Sequence, residues 1–240
     1  MTRLSVNINK IALLRNSRGQ NIPNVLQVAQ DCILFGAQGI TVHPRPDGRH
    51  IKVSDVYELK ANIEVELNVE GYPSPDFIKM ILEVKPTQCT LVPDPPQALT
   101  SQTGWDTQTH LHFLKEIVQT LKEAKIRTSI FLNPDPTLVD SAAQTGTQRI
   151  ELFTGPYAQQ FEQNPEMALQ PYIETAKLAL EAGLELNAGH DLNLKNLNFL
   201  ISHIPQIKEV SIGHALICDA LYYGLKETIQ KYRQALIIEN

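Results

Sequence analysis

The chain has 240 residues, with 21 Lys or Arg against 26 Asp or Glu, a formal net charge of -5. That balance, with no basic stripe, argues against nonspecific nucleic-acid binding, although a few local Arg, His and backbone N–H groups can still hold a phosphate. A 42% hydrophobic and 20% charged composition fits a sizeable core and excludes disorder, and no stretch approaches the ~20 apolar residues a membrane helix needs.

In chain order, strands are predicted at 4–8, 39–43, 64–68, 88–91, 127–131, 149–153, 184–187 and 210–212. Helices are predicted between them at 24–35, 54–61, 75–84, 109–124, 136–145, 168–182, 194–203 and 215–223, with a last helix at 225–237. Gly36, Gly146 and Gly183 fall where a glycine ends a helix. The apolar runs read as β-branched and continuous, as for strands buried on both faces. The alternation predicts a parallel sheet with right-handed crossovers, and its length predicts a closed (β/α)₈ TIM barrel with extra helices, one catalytic domain over 1–240. An open doubly wound sheet would carry a Gly-rich turn after its first strand, and VNINKIALLRNSRG has none. The Pro-rich piece LVPDPPQALTSQTGWD reads as a long loop after the fourth strand.

Cys32, Cys89 and Cys218 are scattered and show no C-x-x-C pair, so free thiols are expected rather than a zinc site or disulfides. The start MTRLSVNINK does not read as a signal peptide, and a cytoplasmic location is expected.

Barrel chemistry sits at the C-terminal ends of the strands. After the first run come Asn7, Asn9 and Lys10, then Arg15 and Arg18; after the second, His43, Arg45 and His50. The third offers Glu70, the next loop Thr100, the sixth Glu151, the seventh His190 and Asp191, and the eighth Gly213 and His214. Histidine can take and give protons near neutral pH. A carboxylate in a closed pocket becomes a usable base. The turn SIGHA, opening a helix, offers backbone N–H groups to a phosphate. Singly, each residue has a plain structural reading: His43 as a satisfied core histidine, Glu151 as a carboxylate paired with an Arg. His110, His112 and His203 fall on predicted helices and read as solvated. A metal site is disfavoured because no H-x-H ends the first strand. A Schiff-base lysine is disfavoured because Lys10, the lysine near a strand end, reads as a loop residue.

The segments VNINKIALLRNSRG, GITVHPRPDGRHI, LNVEG, LVPDPPQALTSQTGWD, IELFTGPYA, LNAGHDL and SIGHALI, in this order, resemble the motif set of the pyridoxine 5′-phosphate synthase family. The resemblance runs from Val6 to Ile217. It implies condensation of 1-deoxy-D-xylulose 5-phosphate with 3-amino-2-oxopropyl phosphate, closing a pyridine ring and releasing phosphate and water. It implies no metal or organic cofactor, and a homo-octamer built from dimers. Carried over by motif, His43 and Glu70 are proton acceptors, His190 is a proton donor and Glu151 supports the transition state. Asn7, Arg18, Asp191, Gly213 and His214 hold the aminoketone phosphate. Asn9, Lys10, Arg45, His50 and Thr100 hold the deoxyxylulose phosphate. Three residues depart from the family pattern: Asn9-Lys10 replace Asp-His, and Asp191 replaces the Gly after the histidine. A lyase or isomerase of a single sugar phosphate, and a non-catalytic binder of a phosphorylated metabolite, are the rival readings.

Overall fold

The computed structural model describes residues 1–94 and 102–238. Eight parallel strands close in sequence order, each pairing with the next and the eighth with the first. They are β1 (Arg3–Asn7), β2 (Gly39–Val42), β3 (Glu66–Gly71), β4 (Gln88–Leu91), β5 (Arg127–Leu132), β6 (Arg149–Phe153), β7 (Glu185–Gly189) and β8 (Ile207–Ile212). The surrounding helices are α1 (Asn9–Asn16), α2 (Val25–Leu34), α3 (Val53–Asn62), α4 (Pro75–Val84), α5 (Leu111–Glu123) and α6 (Val139–Gln144). They continue with α7 (Gly155–Phe161), α8 (Pro165–Glu181), α9 (Leu197–His203), α10 (His214–Tyr223) and α11 (Leu225–Gln234). This is the predicted (β/α)₈ barrel.

Local chemistry sets the helix ends. Asn24, Ser74 and Asn164 each accept a hydrogen bond from the backbone N–H three residues on, capping α2, α4 and α8, and Pro75 and Pro165 follow two of those caps. Gly36, Gly146 and Gly183 adopt positive φ just beyond α2, α6 and α8, the left-handed geometry that stops a helix without a Cβ penalty. Two helices go beyond the sequence reading. α1 replaces a predicted loop, so Lys10 stands in a first helical turn. α7 is a seven-residue helix opened by Gly155-Pro156.

The strands are not continuously apolar. They alternate. Leu4, Val6, Ile40, Val42, Leu67, Val69, Ile150, Leu152, Val210 and Ile212 belong to the apolar layer between barrel and helices. The residues between them line the barrel interior and are polar. The Ser5 and Thr41 hydroxyls lie 2.7 Å apart, Asn68 Nδ2 donates to Thr41 Oγ1 at 3.5 Å, and Thr90 Oγ1 donates to Asn68 Oδ1 at 3.0 Å. Around the other half, Arg127 Nε and Arg149 Nη1 both donate to Gln88 Oε1, at 2.9 and 3.2 Å, and Arg149 Nη1 reaches Asn187 Oδ1 at 3.4 Å. Asn187 Nδ2 meets Glu209 Oε1 at 3.5 Å. Glu66 bonds both Arg3 and Arg127. A barrel filled this way is packed by directional bonds between strands, and one end of that packing carries the candidate site.

Candidate active site

The C-terminal mouth gathers residues from most of the strands. Glu70 lies on β3, one residue before its end, rather than beyond the strand as predicted. His43 follows β2. The Glu70 carboxylate reaches within 4.0 Å of His43 Nδ1, and both side chains are largely buried. His43 is held by its backbone: its N–H donates to Asn9 Oδ1 at 2.9 Å, and the Asn9 N–H donates to Asn7 Oδ1 at 3.0 Å. Asn7 and Asn9 thus tie the end of β1 to the end of β2. The His50 ring sits edge-on to His43, centroids 6.3 Å apart, with its Nδ1 accepting the Ile51 N–H at 2.9 Å.

Arg45 is buried, and its guanidinium meets Asp94 Oδ2 at 3.4 Å. Asp94 was missed in the sequence, although it stands just after β4, where the strand-end rule places functional groups. Arg15, read as a mouth residue, is structural. Its guanidinium forks onto both Asp55 oxygens at 2.6 and 2.9 Å and pins α1 to α3. Arg18 is exposed beyond the far end of α1, about 12 Å along the helix from the Asn9 end. Thr100 lies outside the described residues.

Glu151 projects from β6 into the same mouth. Its Oε2 is buried with no hydrogen-bond partner among the described residues, and no Arg pairs with it: Arg149 turns to Gln88, Asn187 and Glu185. The plain reading of a carboxylate paired with an Arg therefore fails. Gly189 makes room for it, since a Cβ there would collide with Glu151 Oε1. His190 and Asp191 follow on the loop after β7, with His190 Nδ1 and Asp191 Oδ2 3.1 Å apart. Gly213 packs against Asn7, where an added Cβ would sit 3.1 Å from Asn7 Cβ, and His214 opens α10 beside it. His110, His112 and His203 are exposed, as expected, with His110 capping α5 rather than lying within it.

Burial divides the protons. It pushes Glu151 up to about 8, with the Glu209 carboxylate adding to the shift and the Thr90 hydroxyl opposing it. Glu70 is raised well above the carboxylate range by burial and by the charges of Glu151, Asp94 and Glu209. The same burial, with Arg45, His50 and Arg49 nearby, lowers His43 to about 3; burial and Arg45, Arg49 and Lys10 lower His50 to about 4. At neutral pH Glu151 favours its protonated form, Glu70 is displaced in the same direction, and these two imidazoles are neutral. A cluster of groups pushed apart in this manner is a device for moving protons.

A family model described as "Pyridoxal phosphate biosynthesis protein PdxJ" matches residues 4–237. The chain belongs to this family. Relatives in the PdxJ family include proteins named pyridoxine 5′-phosphate synthase from Phocaeicola vulgatus, 58% identical, and Parabacteroides distasonis, 59% identical. In both cases 98% of this chain and 99% of the relative are covered. One from Bacteroides thetaiotaomicron is 57% identical over 98% of this chain and all of its own length. Among solved structures, phosphoribosyl anthranilate isomerase from Thermotoga maritima superposes with a TM-score of 0.62 at 14% identity, covering 98% of both chains. The YdjI aldolase from Escherichia coli gives 0.60 at 15% identity, covering 98% of this chain and 88% of its own. At those identities the likeness shows the barrel alone.

Proposed function

We propose that this PdxJ-family chain is a pyridoxine 5′-phosphate synthase. It condenses 1-deoxy-D-xylulose 5-phosphate with 3-amino-2-oxopropyl phosphate, closes the pyridine ring, and releases phosphate and water. The observation that carries this reading is the meeting of Glu70 with His43 at the mouth, 4.0 Å apart, with a buried Glu151 oxygen that has no hydrogen-bond partner among the described residues. Ring closure needs repeated proton transfer for imine formation, enamine shifts and loss of water. The aminoketone supplies the amine of the imine, so no lysine is required. Its positive charge, entering beside Glu70 and Glu151, favours their carboxylate forms. Binding then readies Glu70 to accept a proton, with the neutral His43 imidazole as its partner and Glu151 facing the charge that develops in the transition state.

Phosphates are assigned to two sides of the mouth. Arg45, held by Asp94, serves the deoxyxylulose phosphate with His50, Asn9, Lys10 and Thr100. The turn at Gly213-His214, with Asn7, serves the aminoketone phosphate; the family resemblance assigns Arg18 to the same phosphate, although it stands exposed beyond the far end of α1. Asp191 borders that second subsite, and its role is argued below. His190 is the proton donor. The chemistry routes nothing through a metal or organic cofactor.

Leu34, Leu221 and Tyr222 are more than three-quarters exposed, and Leu13, Leu14 and Tyr223 are also open on the neighbouring helices α1 and α10. Such a patch supports association with further copies, as in a homo-octamer built from dimers; sedimentation of the purified protein tests it. No helix among the described residues is long and apolar enough to cross a membrane. A cytoplasmic location follows from the substrates, because charged sugar phosphates stay in the compartment that makes them.

The test mixes the purified protein with both substrates and follows pyridoxine 5′-phosphate by absorbance, with phosphate release in parallel. Product only when both are present supports the reading. Turnover of one sugar phosphate alone points to a lyase or isomerase, and binding without turnover to a metabolite binder.

A further inference from the structure

We propose that Asp191 is a positioning residue for His190, holding the imidazole by Nδ1 in its proton-carrying form, rather than a ligand of substrate phosphate. The inference rests on the reading of His190 as proton donor. Asp191 Oδ2 lies 3.1 Å from His190 Nδ1, an ion-pair distance with an alignment outside hydrogen-bond geometry. The backbone that creates the contact is unusual, with φ of 88° at His190 and 57° at Asp191, two successive residues in the left-handed region. Asp and Asn tolerate that region better than other non-glycine residues.

Several bonds hold this turn. Thr154 Oγ1 donates toward the carbonyls of Gly189 and His190, at 2.8 and 2.5 Å, and the Thr154 N–H donates to Gly189 O at 3.1 Å. Asn193 and Asn196 side-chain amides both reach Asp191 O at 3.4 Å. The imidazole is also packed edge-on against Phe153, centroids 5.1 Å apart, and Phe153 rests on Phe131. With the ring packed edge-on to Phe153 and its Nδ1 side occupied by the Asp191 carboxylate, the proposal leaves Nε2 as the nitrogen that serves substrate.

Charge argues the same way. A carboxylate repels a phosphate, so Asp191 is ill suited to bind one directly. It is suited to stabilise a cationic ring. The groups facing it are His190 itself, Lys10 from α1 and His214 from α10. Together they hold its carboxyl below the usual carboxylate range, despite burial that pulls the other way. The Glu151 carboxylate approaches the turn at Gly189, where an added Cβ would overlap its Oε1.

The experiment titrates His190 by NMR in protein labelled with ¹⁵N-histidine, the resonance assigned through His190→Gln, and compares the native chain with Asp191→Asn and Asp191→Gly. Steady-state kinetics and binding of inorganic phosphate are measured alongside. Without the carboxylate, the protonated ring is less stable, so the His190 midpoint falls by about one pH unit in both variants, a tenfold change in the protonation constant. The alkaline limb of kcat falls by the same amount, while phosphate affinity and the KM for the aminoketone phosphate stay within about twofold. A His190 midpoint that does not move in either variant overturns the proposal, as does phosphate binding weakened tenfold with the titration unchanged. The NMR arm does not depend on turnover: a shifted midpoint in a protein that makes no product supports the pairing and sinks the synthase reading instead.

Discussion

The Glu70 carboxylate lies 4.0 Å from the His43 imidazole; Glu70 stands on β3 and His43 directly follows β2, and the two strands are joined in register, Val42 opposite Val69. Their separation is therefore set by the sheet and not by a mobile loop. Glu70→Gln keeps the volume and removes the titratable proton. Removing a general acid–base group costs about 10²–10⁴-fold in rate. The expected result is a fall in kcat of that size with KM changed by no more than about threefold. Initial-rate kinetics with both substrates check it; a variant with native kcat would remove Glu70 from the proton transfers.

Stability should fall with rising pH because of Glu151. Its folded value, about 8, lies above the ordinary glutamate value of 4.5. Between those limits the folded state binds more protons than the unfolded state, so each step up in pH favours unfolding, by at most about 1.4 kcal/mol per pH unit. The stabilisation is present below the unfolded value and is lost as pH rises through the folded one. Glu70, also raised, acts in the same direction. His43, lowered from 6.5 to about 3, acts oppositely and lower down: stability is lost as pH falls from 6.5 towards 3. Urea unfolding at pH 6 and pH 8 should show Glu151→Gln losing less stability across the interval than the native chain. Equal losses would mean that Glu151 is not protonated in the fold.

Arg15 and Asp55 form a two-pronged pair, each side chain under a tenth exposed. Asp55→Ala would leave the guanidinium buried without its carboxylate, a change that costs about 3–5 kcal/mol. Asp55 also accepts the Lys52 N–H at 2.8 Å at the start of α3, so that helix end loosens as well. Chemical denaturation measures the loss; a change under about 1 kcal/mol would show the pair to be solvent-screened.

Gly189→Ala tests the floor of the site. The added methyl would overlap Glu151 Oε1 and sit 3.2 Å from Ser211 O, which is backbone and cannot swing aside. Glu151 must move. A stability loss of about 1–3 kcal/mol is expected from the overpacking, with kcat down at least about tenfold because a small misplacement of a reacting group is costly. Native kinetics in a folded Gly189→Ala protein would show that the position of Glu151 is not critical.

The sequence made the barrel legible because strand ends repeat a simple grammar, an apolar run followed by polar residues. That grammar also found His43, Glu70, Glu151 and His190, which come from four different strands and which the fold brings to one mouth. It missed α1 because that helix is inverted in polarity: Leu13 and Leu14 are exposed while Arg15 is buried, so no apolar face marks it. It noted Arg15 after the first strand without giving it a role, and only the fold shows that Asp55, forty positions later, claims it. Asp94 was within reach of the same grammar. The partnership of His190 with Asp191 was not, because it depends on two left-handed backbone angles that no pattern of residue types reveals.

The alternation of the strands also bears on how the chain finds its pairing. A barrel lined with aliphatic side chains would tolerate a strand sliding by one position with little more than repacking. Here such a slip would carry Arg149, Glu209, Asn187 and Gln88 outward into the greasy sleeve of helices and strand their bonding partners inside, while driving Leu and Ile into a lumen built for amides and guanidinia. Each mispaired arrangement is thereby penalised many times over. The polar lumen acts as a combination lock on strand alignment, and through that alignment it fixes the height at which every side chain of the candidate site emerges at the rim.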